Sequence, residues 1–343
     1  MLNPLLACGV SALVAGCSGG MQQTPPLAGA ANSRLAIPVQ QSAASLPDAK
    51  GASVIYVANW YRNAVEVISP NKQHALIKEI STDPYAPNSV HVDGSGNLWV
   101  ALNTAGTDPS LYVYKPGTST PFRTLTGVAN IPVSVALGTD GTAYVTDEDE
   151  GFGHITVFAP GATKPTTVLN DPNGNCCGWV AVDQHNNVFF TYELKSQRTG
   201  AIDEFVHGSK NPKSLGITLG TSPGGILVLK DGTLIVSEQG ITDFNLPAKI
   251  DTFKKGATTP SSVITGDASC DEWVGPALNA KKDKVYVGTI FTQISCYVNG
   301  NPAAIKEYTY PQGKLVTEFT SGITDQQGWT LLVPAVNPPA AGQ

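Results

Sequence analysis

Asn59, Leu102, Asp147, Tyr192, Glu238 and Thr289 each stand at the end of a short alternating run: SVIYVAN, LWVAL, AYVTD, VFFTY, LIVSE and VYVGT. Equal places in repeated strands would set these six side chains at one end of six strands, near one rim of the axis they surround. Asn59, Asp147 and Glu238 carry hard oxygen donors of the kind a Ca²⁺ ion takes. A divalent cation held by these three would polarise a carbonyl for hydrolysis. With Tyr192 and Glu272 they form the candidate ligand-binding set: Asn59, Asp147, Tyr192, Glu238 and Glu272. The plainer reading of the same ring is a water-filled funnel. No residue is assigned a catalytic role. No motif demands a cofactor, and a divalent cation, Ca²⁺ first, is the one this set would take.

Acid is dense around these positions. Asp147, Glu148, Asp149 and Glu150 form one run, joined by Glu193, Glu238, Asp267, Asp271 and Glu272 and partly offset by Arg62, Lys195, Arg198 and Lys249. The run lacks the spacing of an EF-hand loop, so it reads as a cation site or as a solvated acidic loop. His91 stands where the other copies of the repeat carry Ala136, Ala181, Leu227, Leu278 and Leu331, so it reads as a hydrogen-bonded core histidine or as a base. There is no GxSxG, no HExxH, no phosphate-binding glycine loop and no Ser-His-Asp set.

These residues need a scaffold, and the repeat supplies it. PNSVHVDGSGNLWVALN, Pro87 to Asn103, reads as strand, tight turn, strand. Its counterparts begin at Pro132, Cys177, Pro223, Val274 and Gln327, offset by 45, 45, 46, 51 and 53 residues. Gly, Asp and Asn at the turns tolerate positive φ and close hairpins. A third strand ends in an aromatic three residues before a glycine, at Tyr114, Phe158, Phe205, Phe253 and Tyr310. A fourth strand closes each unit. Four short strands per 40–50 residues is the signature of a β-propeller blade. No unit holds an apolar run with helical period and helix length, which excludes a helical solenoid.

Five complete copies run from 87 to 322, and 53–81 supplies only the second, third and fourth strands. The missing first strand is the copy at Gly328–Pro334. The chain is therefore all-β, a six-bladed β-propeller closed by pairing its C-terminal strand with the N-terminal blade. Such closure removes an exposed sheet edge. The loops between second and third strands, 59–64, 102–110, 146–154, 192–200, 238–248 and 289–303, are unlike one another. Variable loops on a regular scaffold are where binding sits.

Residues 1–20, MLNPLLACGVSALVAGCSGG, hold a short apolar run ending in small residues before Cys17, with no Lys or Arg ahead of it. Leu13-Val14-Ala15-Gly16-Cys17 resembles the lipobox of bacterial lipoproteins. The resemblance implies a signal peptide over 1–16, lipidation of Cys17, and a place in the bacterial cell envelope, in the periplasm or at the outer membrane. Residues 17–51, rich in Ala, Ser, Gln, Pro and Gly, read as a disordered tether. The propeller follows over 52–335 and a tail over 336–343. Four cysteines remain for an oxidising compartment. Cys270–Cys296 is the favoured disulfide, leaving Cys176 and Cys177 as a vicinal pair or two thiols; the alternative links one of these to Cys270. A net charge of −6 and a pI near 5.3 argue against nucleic acid.

PNSVHVDGSGNLWVAL, PVSVALGTDGTAYVTD and CGWVAVDQHNNVFFTY are similar to NHL repeats and to the six-bladed TolB-like superfamily. The resemblance covers essentially all of 52–335. It implies fold, and fold alone does not set activity. The superfamily includes Ca²⁺- or Zn²⁺-dependent lactonases of the gluconolactonase type, with a Glu, an Asn and an Asp round the channel. Glu272, Asn59 and Asp147 would fill those roles, but the Glu-Gly-Pro start of that family is missing and EWVGP at 272–276 is a loose echo. Streptogramin lyase propellers are seven-bladed and use a His/Glu pair with a metal. Two functions follow. The first is a lipid-anchored, non-catalytic scaffold presenting its loop face to a protein, glycan or small-molecule ligand. The alternative is a metal-dependent lactonase, hydrolase or lyase.

Overall fold

The computed structural model describes residues 53–337 except 72, 105–106, 149–152, 175–177, 195–198, 241–245, 267–271, 291–303 and 320–331. Among the described residues there are twenty-four strands and no helix. The first three are β1 (Val54–Asn59), β2 (Ala64–Ile68) and β3 (Leu76–Ser81). Blade two follows with β4 (Ala86–Val92), β5 (Leu98–Asn103), β6 (Leu111–Tyr114) and β7 (Arg123–Leu125). Blade three holds β8 (Ile131–Leu137), β9 (Ala143–Glu148), β10 (Gly153–Phe158) and β11 (Thr167–Asp171). Blade four holds β12 (Val180–Val182), β13 (Val188–Glu193), β14 (Gly200–Phe205) and β15 (Lys213–Leu219). Blade five holds β16 (Pro223–Val228), β17 (Leu234–Glu238), β18 (Lys249–Phe253) and β19 (Ser262–Thr265). Blade six holds β20 (Glu272–Leu278), β21 (Lys284–Ile290), β22 (Ile305–Thr309) and β23 (Leu315–Phe319), and β24 (Leu332–Asn337) ends the series. Each blade is a four-stranded antiparallel sheet, and the first has the order β24-β1-β2-β3.

The first two strands of blades two to six are joined by turns of one design. In each, the N–H of the fourth turn residue donates to the carbonyl of the first: Gly96 to Asp93, Gly141 to Gly138, Asn186 to Asp183, Gly232 to Leu229 and Lys282 to Asn279. That fourth residue is left-handed, with φ of 81°, 84°, 63°, 81° and 56°. This is the three-residue hairpin with a bulge, which favours Gly or Asn there. Side chains fasten all five: Asp93 Oδ1 accepts the N–H groups of Ser95 and Asn97, Asp183 Oδ1 those of His185 and Asn187, Asn279 Oδ1 those of Asp283 and Lys284, Asp140 Oδ1 that of Thr142 and Asp231 Oδ1 that of Thr233.

The core lies between blades. Trp99, Leu111, Val113 and Leu125 of blade two meet Val135, Val145 and Phe158 of blade three. Ile235 and Ile250 of blade five meet Val285, Val287 and Tyr308 of blade six. Each such Leu, Ile or Phe contributes about 1.5–3 kcal/mol on burial. Tyr114, Phe158, Phe205 and Phe253 fill the seams as the repeat predicts. Blade six differs: a bulge between Glu307 and Tyr308 makes Tyr308 the core aromatic, while Tyr310 hydrogen-bonds Thr252 of blade five.

The ring closes as the incomplete first unit requires. β24 pairs with β1 from Val54↔Asn337 to Asn59↔Leu332. Gly328–Leu331 of the expected segment lie outside the described residues; the described strand pairs Leu332–Asn337 with β1 and runs past the expected boundary at 335. The apolar pattern of GWTLLV misleads because an inner strand tolerates proline. It pairs on one side only, so Pro334 sacrifices no ladder donor that a second neighbour would need.

Candidate functional site

Every blade runs radially, and its inner strand, β24, β4, β8, β12, β16 or β20, lines a central channel. This geometry decides where the candidate residues point. On the second strand, alternate side chains face the two neighbouring blades rather than the axis. Asn59, Leu102, Asp147, Tyr192, Glu238 and Thr289 accordingly turn into the seams between blades, all 3% exposed or less.

Three of them meet a carboxylate on the third strand of their own blade. Asn59 Nδ2 donates to Glu66 Oε1 at 2.9 Å, and Asn59 Oδ1 accepts the Arg62 N–H at 3.3 Å. Burial pushes the Glu66 carboxyl up to about 7, moderated by that Asn59 hydrogen bond. The Tyr192 hydroxyl donates to Asp203 Oδ1 at 3.1 Å, and Asn173 Nδ2 of blade three donates to Asp203 Oδ2 at 3.2 Å. Asp171 faces the same buried cluster and is raised to about 6 by burial, with the Asp203 charge adding to it. Glu238 Oε2 accepts the N–H and hydroxyl of Thr221 at 2.7 and 3.2 Å. Its neighbour Asp251 is pushed to about 7, first by burial and then by its hydrogen bond to Glu238. Burial thus holds the Glu66 and Asp251 carboxyls well above the usual carboxylate range.

The rest of the set is dispersed. Asp147 lies 3.9 Å from His154 Nδ1 in blade three, and Glu272 begins β20 at 6% exposed. Asn59, Asp147 and Glu238 belong to blades one, three and five. Among the described residues no group of three or more His, Cys, Asp or Glu is placed to hold a metal ion. Asp149, Glu150, Lys195, Arg198, Asp267, Asp271 and the cysteines Cys17, Cys176, Cys177, Cys270 and Cys296 lie outside the described residues.

The channel itself is lined by the ring His91, Ala136, Ala181, Leu227, Ala277 and Ala335, with a cavity of about 90 Å³. Strand register defines this ring: these six pair with Trp99, Tyr144, Phe189, Ile235, Tyr286 and Tyr56. It replaces Leu278 and Leu331 of the sequence alignment by Ala277 and Ala335. The β20 bulge and the later start of β24 shift those two copies. His91 is the one titratable group of the ring, and burial in the channel wall lowers its imidazole to about 4.

His91 also begins a row that sequence reading missed. Register places His91, Trp99, Val113 and Arg123 side by side across blade two, one from each strand. The Arg123 guanidinium lies 4.5 Å from the Trp99 ring centroid, a contact of about 0.5–2 kcal/mol. Trp99 Nε1 in turn donates to Asp93 Oδ2 at 3.1 Å. The row borders a cavity of about 540 Å³ on the face of the five-residue turns. The available signal was a comparison of the whole row: blade three carries Ala136, Tyr144, Val157 and Thr167 there, with no cation.

No known family profile and no curated protein matches the chain. Solved structures do. A chain of a nidogen/laminin complex aligns with a TM-score of 0.63 at 12% identity, covering 83% of this chain and 98% of that one. A protein of unknown function from Bacteroides caccae gives 0.60 at 11%, covering 82% and 98%. The hydrazine synthase of Kuenenia stuttgartiensis gives 0.52 at 12%, covering 76% and 81%. At such identities the likeness concerns the fold, a β-propeller.

Proposed function

We propose that this chain is an exported, lipid-anchored propeller of NHL-like type that binds a partner without transforming it, through the face of its variable loops. The observation that supports this is a contrast between its two faces. Between first and second strands, blades two to six use five-residue turns without exception: 93–97, 138–142, 183–187, 229–233 and 279–283. Between second and third strands the loops hold 4, 7, 4, 6, 10 and 14 residues. Uniform turns serve the ring; unlike loops serve recognition. The polar residues nearest those loops, Asn59, Tyr192 and Glu238, are hydrogen-bonded inside the seams. The nidogen/laminin relative comes from a protein complex, and a protein is the partner we favour here over a glycan or small molecule. β1 leaves the turn face, so an anchor at Cys17 would direct the loop face away from the membrane.

Photo-crosslinking in the native cell envelope tests this. Benzoylphenylalanine at Tyr61 and Leu246, both exposed beside the loops, should each give an adduct of one mass, and the same label at Ser95 on the turn face should give none. Adducts from Ser95 alone overturn the loop-face reading. Turnover of a lactone or ester by the purified protein overturns it in favour of a hydrolase. Cys17→Ser should abolish labelling by radioactive palmitate; retained labelling refutes the anchor.

A further inference from the structure

The cavity beside the blade-two row lies on the face opposite the variable loops and is independent of the reading above. We propose that it is a binding site for a small organic anion, with Arg123 as the group that receives the oxyanion and His91 as a second donor at the other end of the same row.

Its volume of about 540 Å³ lies within the range of small-molecule pockets. It opens between blades two and three, lined by Trp99, Arg123, Leu137 and Gly138, and reaches the channel mouth at His91 and Lys230. Two carboxylates, Asp93 and Asp183, also line it. Both are already met by donors. Asp93 takes the N–H groups of Ser95 and Asn97, the Asn97 amide and the Trp99 indole. Asp183 takes the N–H groups of His185 and Asn187 and the Asn187 amide. Neither has much acceptor capacity left for a cationic ligand.

Arg123 is the opposite case. Its Nε is buried and has no hydrogen-bond partner among the described residues. Its guanidinium lies 4.5 Å from the Trp99 ring centroid, the Trp99 indole donates to Asp93, and the Asp93 charge also acts on Arg123. Arg123 lines the cavity, and a guanidinium there can donate to a carboxylate or phosphate. The imidazole of His91, neutral at physiological pH, supplies a further N–H along the same row. The alanines at the His91 place in four other blades show that the ring closes without an imidazole. The corresponding cleft between blades three and four is smaller, about 210 Å³, and is bordered by Tyr144, Val157 and Thr167, with His207 and Lys210 but no arginine stacked on an indole. The ring does not need His91, Trp99 and Arg123 in one row, and a ligand would.

Calorimetry and saturation-transfer NMR on the folded propeller test this, with succinate, glucuronate, inorganic phosphate and glucose 6-phosphate as probes and glucose as the neutral control. At least one anion should bind with a dissociation constant below about 1 mM, about tenfold tighter than glucose. Preference for succinate and glucuronate assigns a carboxylate, and preference for the phosphates a phosphate ester. Arg123→Gln and His91→Ala should each weaken that anion about tenfold, and Arg123→Lys should restore part of the loss. His91→Ala introduces the residue four other blades carry, so it leaves the fold intact. If Arg123→Gln does not fold, Arg123→Lys and His91→Ala decide. The proposal fails if no probe binds, if glucose binds as tightly as glucuronate, or if both of those variants bind as the parent does.

Discussion

Glu66 offers a quantitative test of the seam chemistry. Its side chain is wholly buried in blade one; Oε1 accepts from Asn59, while Oε2 is buried with no hydrogen-bond partner. Burial carries the carboxyl from an ordinary value of 4.5 to about 7; Arg62 pulls it down slightly and Glu79 pushes it up. The folded chain therefore binds a proton here that the unfolded chain has released. Below about pH 4.5 both states are protonated and the fold keeps its full stability. As pH rises towards about 7 only the unfolded state ionises, and stability falls. Above that it levels off. The gap between the two values corresponds to about 3 kcal/mol, roughly 6 °C in Tm for a domain of this size. Glu66→Gln removes the titration and keeps the acceptor for Asn59. Urea unfolding of parent and variant should be followed from about pH 4.5 to about pH 8. The variant should gain about 2–3 kcal/mol on the parent across that range. Any constant cost of seating the amide shifts the whole curve and leaves the slope alone. Asp171 and Asp251 titrate with the same sign in other blades, so they cancel in the difference. Parallel curves for the two proteins would refute the reasoning.

Other outcomes follow from the packing. Gly224→Ala should destabilise by about 2 kcal/mol or more in urea unfolding, because an added Cβ would lie 2.1 Å from the Trp273 carbonyl oxygen of the next inner strand; an unchanged midpoint contradicts this. Lys282→Gly should stabilise by about 0.5–1 kcal/mol, since a left-handed lysine costs more than the added freedom of glycine; a loss of stability contradicts it. Ending the chain after residue 331 removes β24 and should leave a species that aggregates on size-exclusion chromatography, whereas a monomer with unaltered Tm would disprove closure by that strand. At the seam between blades six and one, Lys284 Nζ lies 2.6 Å from Glu307 Oε1, and His74, stacked on Phe319, lies 3.5 Å from Glu307 Oε2. Lys284→Met should lower Tm and adding Glu307→Gln should restore part of it, because the single change strands a buried carboxylate.

The architecture was legible because it is written several times. Turns such as Asp93–Asn97 and Asp183–Asn187 repeat a local hydrogen-bonding pattern, and local patterns survive in a sequence. The closing strand was found in kind but displaced in place, since GWTLLV has the apolar look of an inner strand while Leu332–Asn337 carries the proline that only an edge allows. The candidate site was less legible. Position along a strand told which residues were equivalent, but not which way they faced. Asn59, Tyr192 and Glu238 were equivalent and polar, yet a radial sheet turns them towards neighbouring blades. His91 stood out as a misfit among alanines and leucines. Trp99 and Arg123 did not, because their kinship with His91 exists across strands and is spelled nowhere along the chain.

The pairing of Val54 with Asn337 has a practical corollary. Neighbouring residues on antiparallel strands sit about 5 Å apart, so a linker of a few residues would splice the two ends of the ring. New ends could then be cut in any of the unlike loops, giving circular permutants whose closing seam falls in a different blade. Val54 and Asn337 meet at the turn face, so a reporter joined there leaves the surface of the unlike loops clear.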